Sequence, residues 1–216
     1  LSVQHLMYYI YNMKEIITTI FFLIAVIDPL GSVPVYLEAT KNFDTRHKRK
    51  IAVRASLVAF VILLFFIGIG QFILEGMEVS LDAFQISGGV ILFLFALTMI
   101  FGDGKPENEK SKIKDYKHVS IFPIAIPSIA SPGAIMAVVL MTNNNLYSIE
   151  QQAVTTVLVL IVVILTCLLL LAANVVQEKV GEYGITVISK VMGLILASYA
   201  IQSILTGLRE FFTILH

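Results

Sequence analysis

The chain has 216 residues, 57% of them hydrophobic and only 14% charged, against about 25% charged in an average soluble domain. With a mean hydropathy of +0.88, this is the composition of a polytopic membrane protein. Lys and Arg number 15 and so do Asp and Glu, so the net charge of zero excludes a nucleic-acid binder. The single cysteine, Cys167, lies in an apolar run and excludes an intrachain disulfide.

Residues 1–15 are mixed in character and lead into no small-residue cleavage site, so a signal peptide is not expected. Six apolar runs follow, each near the roughly 20 residues that cross a bilayer as helix. They predict helices over 16–40, 51–74, 83–101, 119–141, 153–173 and 185–208. A membrane β-barrel would show shorter, alternating segments. There is no Trp, so Tyr8, Tyr9, Tyr11, Tyr147, Phe211 and Phe212 are the candidate interfacial anchors. The fold class is an all-α membrane protein of six transmembrane helices.

The first run contains Ile27-Asp28-Pro29-Leu30-Gly31-Ser32. Pro29 lacks an N–H and disfavours the α region at Asp28. Asp28 places a carboxyl group where charge is expensive, which marks a functional-site candidate. The fourth run carries Ser128-Ile129-Ala130-Ser131-Pro132-Gly133. At about 1.5 Å per residue, Asp28 lies roughly 18 Å and Pro132 roughly 20 Å into their spans, near the middle of a core about 30 Å thick. Both spans are predicted to break there.

The loops set an expected orientation. Lys41, Arg46, Lys48, Arg49, Lys50, Arg54, Lys105, Lys110, Lys112, Lys114, Lys117, Lys179 and Lys190 fall on one side of a six-span arrangement. Only Lys14 and Arg209 fall on the other. The positive-inside rule makes the first side cytoplasmic and puts both termini outside.

The two halves are alike. Pro29 and Pro132 are 103 residues apart, and Gly89-Val-Ile-Leu92 matches Gly193-Leu-Ile-Leu196 at a spacing of 104. The Asp44-Thr45 turn corresponds to Tyr147-Ser148, where Ser148-Ile-Glu-Gln151 has the pattern of a capping box. Each half holds an odd number of spans, so the second copy must enter the membrane inverted. The expected organisation is a first three-helix repeat over 1–104, a cytoplasmic linker over 105–118 and a second, inverted three-helix repeat over 119–216. Inverted repeats with discontinuous helices at the midplane are the plan of many secondary transporters.

Asp28-Pro29 and Ser131-Pro132 each read as an N-cap followed by Pro at the first helical position. The first N–H groups of each new half-helix, at Leu30, Gly31 and Ser32 and at Gly133, Ala134 and Ile135, are expected to lack helical partners. The dipoles favour a carboxylate there, and the carbonyls ending the preceding half-helices favour an ammonium. The pattern suits a zwitterion. The candidate substrate-binding residues are Asp28, Pro29, Leu30, Gly31, Ser32, Ser128, Ser131, Pro132, Gly133 and Ala134. They are mostly small, which leaves room for a short side chain. Asp28 is read either as a cap alone or as a group that binds substrate or a proton. Pro34 reads as structural, and Gly88, Gly89 and Gly193 as helix-packing positions. The pattern leaves open the facing of Ser87, Thr98, Tyr199 and Gln202.

These motifs also resemble a known family. Asp28-Pro-Leu-Gly31 with Pro34, and Pro123-Ile-Ala-Ile-Pro127 followed by Ser131-Pro-Gly133, are similar to those of the MarC/SnatA family of bacterial and archaeal membrane proteins. The resemblance covers nearly the whole chain. It implies six spans with both termini outside the cytoplasmic membrane and transport of small neutral amino acids such as glycine and alanine. Many members carry Gly where this chain has Ser131.

His5, His47, His118 and His216 fall in termini or loops and form no metal-ligand pattern. No HExxH, phosphate-binding Gly-rich loop, CxxC or nucleophile triad is present, so neither a cofactor nor an enzyme is expected. The expected function is secondary transport of small neutral amino acids by alternating access. A proton or sodium ion is the candidate coupling partner, membrane lipid surrounds the protein, and an oligomer is allowed. The alternative is an ion- or proton-conducting channel with Asp28 as the translocation group.

Overall fold

The computed structural model describes residues 3–101 and 115–214. Most of the predicted linker, 105–114, and His216 therefore lie outside the described residues. The elements are α1 (Val3–Ile27), α2 (Ser32–Thr40), α3 (Thr45–Gly76), α4 (Leu81–Phe101), α5 (Tyr116–Val119), a wide helical segment (Ser120–Ile129), α6 (Pro132–Met141), α7 (Ile149–Leu171) and α8 (Ala173–Ile214). No strand occurs among the described residues. Five stretches are long and apolar enough to cross a membrane: Met13–Thr40, Thr45–Gly76, Asp82–Phe101, Ile149–Leu171 and Tyr183–Thr213. Tyr116–Ile129 and Pro132–Met141, bent by 58°, make a sixth. The protein is thus an all-α membrane protein, with the fourth span broken as predicted.

Local chemistry accounts for the element boundaries. Asp44 is extended (φ −67°, ψ 162°) and accepts the His47 N–H to start α3. Its carboxyl is held below the usual range, chiefly by the side-chain hydrogen bond from His47. Ser148 has nearly the same backbone (φ −67°, ψ 158°) and starts α7 with a full capping box, Gln151 N–H to Ser148 Oγ at 3.3 Å and Ser148 N–H to Gln151 Oε1 at 3.0 Å. The sequence pairing of Asp44-Thr45 with Tyr147-Ser148 is therefore shifted by one residue. Asp44 and Ser148, 104 positions apart, are the equivalent caps. The predicted sixth span is the later part of α8, which turns at Gly181 (φ 73°, ψ 161°), a backbone that glycine adopts without strain.

One stretch departs from the predicted helix. Between Ser120 and Ile129 the backbone leaves helical geometry at Phe122 (φ −118°, ψ 122°) and at Ile126 (φ −129°, ψ 127°). Each precedes a proline, and the proline ring pushes the residue before it out of the α region. The first half of the fourth span is therefore a wide, irregular coil.

Packing repeats the internal similarity. A methyl group on Gly89 of α4 would lie 2.9 Å from the Ala200 carbonyl oxygen of α8. One on Gly193 of α8 would lie 3.2 Å from the Ala96 carbonyl oxygen of α4. Gly89 and Gly193 are 104 positions apart, and so are Ala96 and Ala200. Further along, Gly207 abuts Asp82, so the two helices run antiparallel. The two helices therefore meet reciprocally and antiparallel. The same pairing holds elsewhere, with α3 on α7 and α1–α2 against the Ser120–Met141 span. Leu57, Val61, Phe65 and Phe72 of α3 and Val187, Leu194 and Leu205 of α8 stay exposed, as lipid-facing positions do in a membrane bundle.

The close helix contact makes a prediction. Gly89→Ala and Gly193→Ala should each lower stability by about 1–3 kcal/mol through overpacking, read as a fall in the thermal unfolding midpoint in detergent. Gly68→Ala, where an added methyl meets nothing within 4 Å, should cause no such fall.

Candidate functional site

At the first break, one residue ends one helix and caps the turn that leads into the next. The Asp28 N–H donates to the Ile24 carbonyl at 2.9 Å, which completes α1. Asp28 itself takes φ 48°, the left-handed region. Aspartate visits this region more readily than most residues, and residues just past a helix C-terminus often occupy it. Pro29 then follows without an N–H to satisfy. The Asp28 carboxylate accepts the Gly31 N–H at 3.0 Å, and its carbonyl accepts the Ser32 N–H at 3.1 Å. The predicted cap needs correction: α2 is regular only from Ser32, its N-cap position is Gly31 without a side-chain bond, and Pro29 lies outside its first turn, so the Asp28 carboxylate caps the turn that leads into α2 rather than the helix itself. Gly31 is required here, because an added methyl would overlap the Asp28 carboxylate.

The second break follows the same plan with a neutral cap. The Ala130 N–H reaches the Ala125 carbonyl at 2.8 Å and closes the wide segment. Ser131 is extended (φ −68°, ψ 157°), with Pro132 next to it in the first turn of α6. Its Oγ accepts the Ala134 N–H at 3.0 Å, and its carbonyl accepts the Ile135 N–H at 3.0 Å. Asp28 and Ser131, 103 positions apart, thus each accept the N–H three residues on, although only Ser131 is the N-cap residue of its helix.

The two breaks touch. Ser128 Oγ donates to Ser32 Oγ at 3.1 Å, across 96 residues of chain. Ser131 Oγ reaches the Val26 carbonyl at 3.4 Å, one of the carbonyls at the end of α1. Asp28, Ser32, Ser128 and Ser131 are all buried, none more than 4% exposed. Pro29 and Ala134 are buried with them, and Leu30 and Gly31 are half-buried.

Three expectations need correction. Four of the six N–H groups predicted to be free are already taken, those of Gly31, Ser32, Ala134 and Ile135. The capping side chains and their carbonyls themselves consume these donors. Among the described residues this leaves the N–H groups of Leu30 and Gly133 without a backbone or side-chain acceptor. Secondly, Pro132 is exposed, on the side of the break away from its buried neighbours. Thirdly, the Cα of Gly133 faces α4, where an added methyl would meet Leu92 and Phe95 at 3.2 Å.

Ser189 of α8 also belongs to the site, and sequence reasoning missed it. Its Oγ donates to Asp28 Oδ1 at 3.3 Å, so the carboxylate oxygen that caps the turn into α2 also ties down the last span. A serine on a long apolar helix carries no motif; only the helix's facing would have revealed it. The polar positions whose facing was open turn elsewhere. Ser87 and Thr98 bond carbonyls of their own helix, and Gln202 bonds Thr206. Tyr199 stacks on Phe22 of α1, with ring centres 4.0 Å apart. Among the described residues no group of His, Cys, Asp and Glu side chains could hold a metal ion.

Two facing helix breaks with a buried carboxylate can be compared with known proteins. The model of the MarC family of integral membrane proteins matches residues 13–212. The chain belongs to the MarC family. It is 32% identical to the UPF0056 inner membrane protein YhgN of Escherichia coli K12, over 91% of this chain and 98% of that protein. A UPF0056 membrane protein of Buchnera aphidicola from Acyrthosiphon pisum is 30% identical, over 93% of this chain and 99% of its own. The UPF0056 membrane protein PH0760 of Pyrococcus horikoshii is 33% identical, over 88% and 92%. No solved structure matches the chain. The MarC match takes in both breaks and all six spans.

The caps can be tested directly. Asp28→Ala and Ser131→Ala should each cost about 1 kcal/mol, the usual worth of an N-cap, while Asp28→Asn, which keeps a capping oxygen, should cost less. Thermal unfolding of the purified variants in detergent would show the order.

Proposed function

We propose that this MarC-family protein is a secondary transporter of small neutral amino acids such as glycine and alanine, working by alternating access. The observation that carries the reading is the pairing of two capped half-helix starts inside the protein, joined by the Ser128–Ser32 hydrogen bond. Each start offers one uncommitted N–H, at Leu30 and at Gly133, backed by the positive end of a helix dipole. A substrate carboxylate would be drawn there. The Asp28 carboxylate and the carbonyls ending α1, such as that of Val26, are acceptors for an ammonium. The surroundings are Ala25, Ala130 and Ala134, all buried, with Gly31 and Gly133 beside them, which suits a substrate with little or no side chain. Inverted repeats that meet at their broken helices also support exchange of the site between two faces. The reading is a carrier rather than an enzyme, with a proton or sodium ion as coupling partner and Asp28 as the residue to carry the proton.

The proposed location is the cytoplasmic membrane with both termini outside. The charge asymmetry of the loops supports it, as does the name of the Escherichia coli relative, an inner membrane protein. A cysteine introduced at Asn144 should react with impermeant maleimide outside intact cells, and one at Asn108 should not. The opposite pattern would reverse the orientation.

Transport is tested in proteoliposomes. Radiolabelled glycine should accumulate down an imposed gradient, with alanine and serine competing and phenylalanine and lysine failing to compete. Gly31→Ala, which displaces the Asp28 carboxylate, should weaken glycine binding at least about fivefold, the equivalent of roughly 1 kcal/mol. Ion conductance in the same preparation without glycine movement would favour a channel instead.

A further inference from the structure

At the end of the bundle that carries the 41–44 turn, the first turns of α3 form an exposed basic face. Arg46, Arg49, Lys50 and Arg54 are all exposed. Their spacings of three and four residues put them on one side of the helix, and the exposed Val53 and Leu57 continue that side. The opposite side, with Ile51, Ala52, Ala55 and Ala59, is buried in the bundle. Asp44 caps the helix, and the Tyr36 hydroxyl donates to the Lys48 carbonyl at 2.9 Å, which ties the first turn of α3 to α2. The basic face is therefore held in place by the fold.

Its depth follows from the apolar residues beyond it. Exposed apolar side chains run along α3 from Val53 to Ile73. That length rises about 30 Å as helix, which matches a hydrocarbon core of about 30 Å. Arg46, Arg49 and Lys50 lie roughly 5–10 Å further out, at the level of the lipid headgroups. Arg54, at the boundary, reaches the same level when its stem extends outward.

The charge on this face is not neutralised by the protein. The nearby acids have other partners: Glu38 bonds Lys41, Asp44 bonds His47, and Asp115 accepts the Lys117 N–H. No carboxylate among the described residues pairs with Arg46, Arg49 or Arg54, and Lys50 stands over the Tyr116 ring, 6.0 Å from its centre. The first turn of α3 contains no acid. Like charges three and four residues apart on a helix repel, and cations at a helix N-terminus oppose its dipole. An anion lying across the face relieves both costs.

We propose that the Arg46–Arg49–Arg54 face of α3 binds the phosphate of an anionic phospholipid whose chains lie along Val53 and Leu57. The inference stands apart from the transporter reading. Guanidinium groups match phosphate oxygens with paired N–H donors. The occupant is a lipid because the arginines and the exposed apolar residues share one stripe, and a single molecule with a charged head and apolar tails covers both. Its head carries net negative charge because the cation of a zwitterionic head would sit among arginines. Basic clusters just outside a membrane span attract anionic lipid in this way.

Thermal unfolding of the purified full chain in neutral detergent tests the assignment, with phosphatidylglycerol, phosphatidylcholine or glycerol 3-phosphate added. Phosphatidylglycerol should raise the midpoint by at least about 4 °C, as a ligand of the folded state alone does, and phosphatidylcholine should give a clearly smaller shift. Arg46→Gln/Arg49→Gln/Arg54→Gln should lose most of the phosphatidylglycerol shift. Lys14→Gln/Arg209→Gln, at the other end of the bundle, should keep it. Without lipid the triple variant should unfold no earlier than the parent, because it removes like charges from the helix start; a face that merely held the fold together would give the reverse and overturn the proposal. The single variants Arg46→Gln and Arg49→Gln should each show an intermediate shift, which keeps the test decisive if the triple variant misfolds. Equal shifts from the two lipids, or a phosphatidylglycerol shift unchanged in these variants, would also overturn it. So would an equal shift from glycerol 3-phosphate, which would assign the face to a soluble phosphate. None of these outcomes depends on whether the chain moves glycine.

Discussion

A helix that stops inside a membrane leaves donors and acceptors that lipid cannot satisfy. This structure interrupts two spanning segments at buried positions, and most of its central architecture answers that constraint. Asp28 and Ser131 each take the N–H three residues on and use their own carbonyl for the next. Ser32 and Ser128 bond each other across the gap. Every one of these groups is buried, so the breaks satisfy one another only because the two halves of the chain face each other. Separating the halves would leave several buried polar groups unmade, each worth about 1–3 kcal/mol. The mutual packing of α4 and α8 at Gly89 and Gly193 holds the halves at that distance.

The repeat is symmetric in backbone and asymmetric in charge. Both caps sit before a proline, and both bond the residue at the third position beyond. Yet one is a carboxylate and the other a hydroxyl. The carboxylate further gathers Ser189 from the last span, while the hydroxyl turns to the Val26 carbonyl. A buried carboxylate can gain or lose a proton; a serine cannot do so at ordinary pH. α8 is the helix in direct contact with that carboxylate.

Much of this was legible in the chain before any coordinates. Hydropathy marked the spans, Pro29 and Pro132 marked the breaks, and the matching Gly89 and Gly193 motifs marked the repeat. The two glycines each sit against the other's helix, with α4 packed on α8 and α3 on α7. What stayed hidden was hidden for physical reasons. Capping residues were recognised, but a cap removes donors as surely as it satisfies them, and only the hydrogen-bond geometry shows which remain. Pro123 and Pro127 lay in plain view and still read as part of a helix, because an apolar run reports burial and says little about backbone shape. Ser189 depends on the rotation of α8, whose apolar and polar residues form no hydrophobic stripe that fixes the facing.

Gly31 shows how far the two levels of description differ. In the sequence it reads as a small residue whose N–H lacks a helical partner and is open to a ligand. In the structure the space above it is occupied by the Asp28 carboxylate. The glycine is there for the protein's own anion, which already sits where a substrate carboxylate would be drawn. Two anions cannot share that position without a proton or a cation between them. On the proposed transporter reading, a substrate carboxylate would therefore be disfavoured at the first break, where Asp28 already accepts from Gly31 and Ser189. The second break, with its neutral serine cap, carries no such obstacle. On that proposed reading, the neutral α6 start would suit the carboxylate end of a zwitterion, and Asp28 its ammonium.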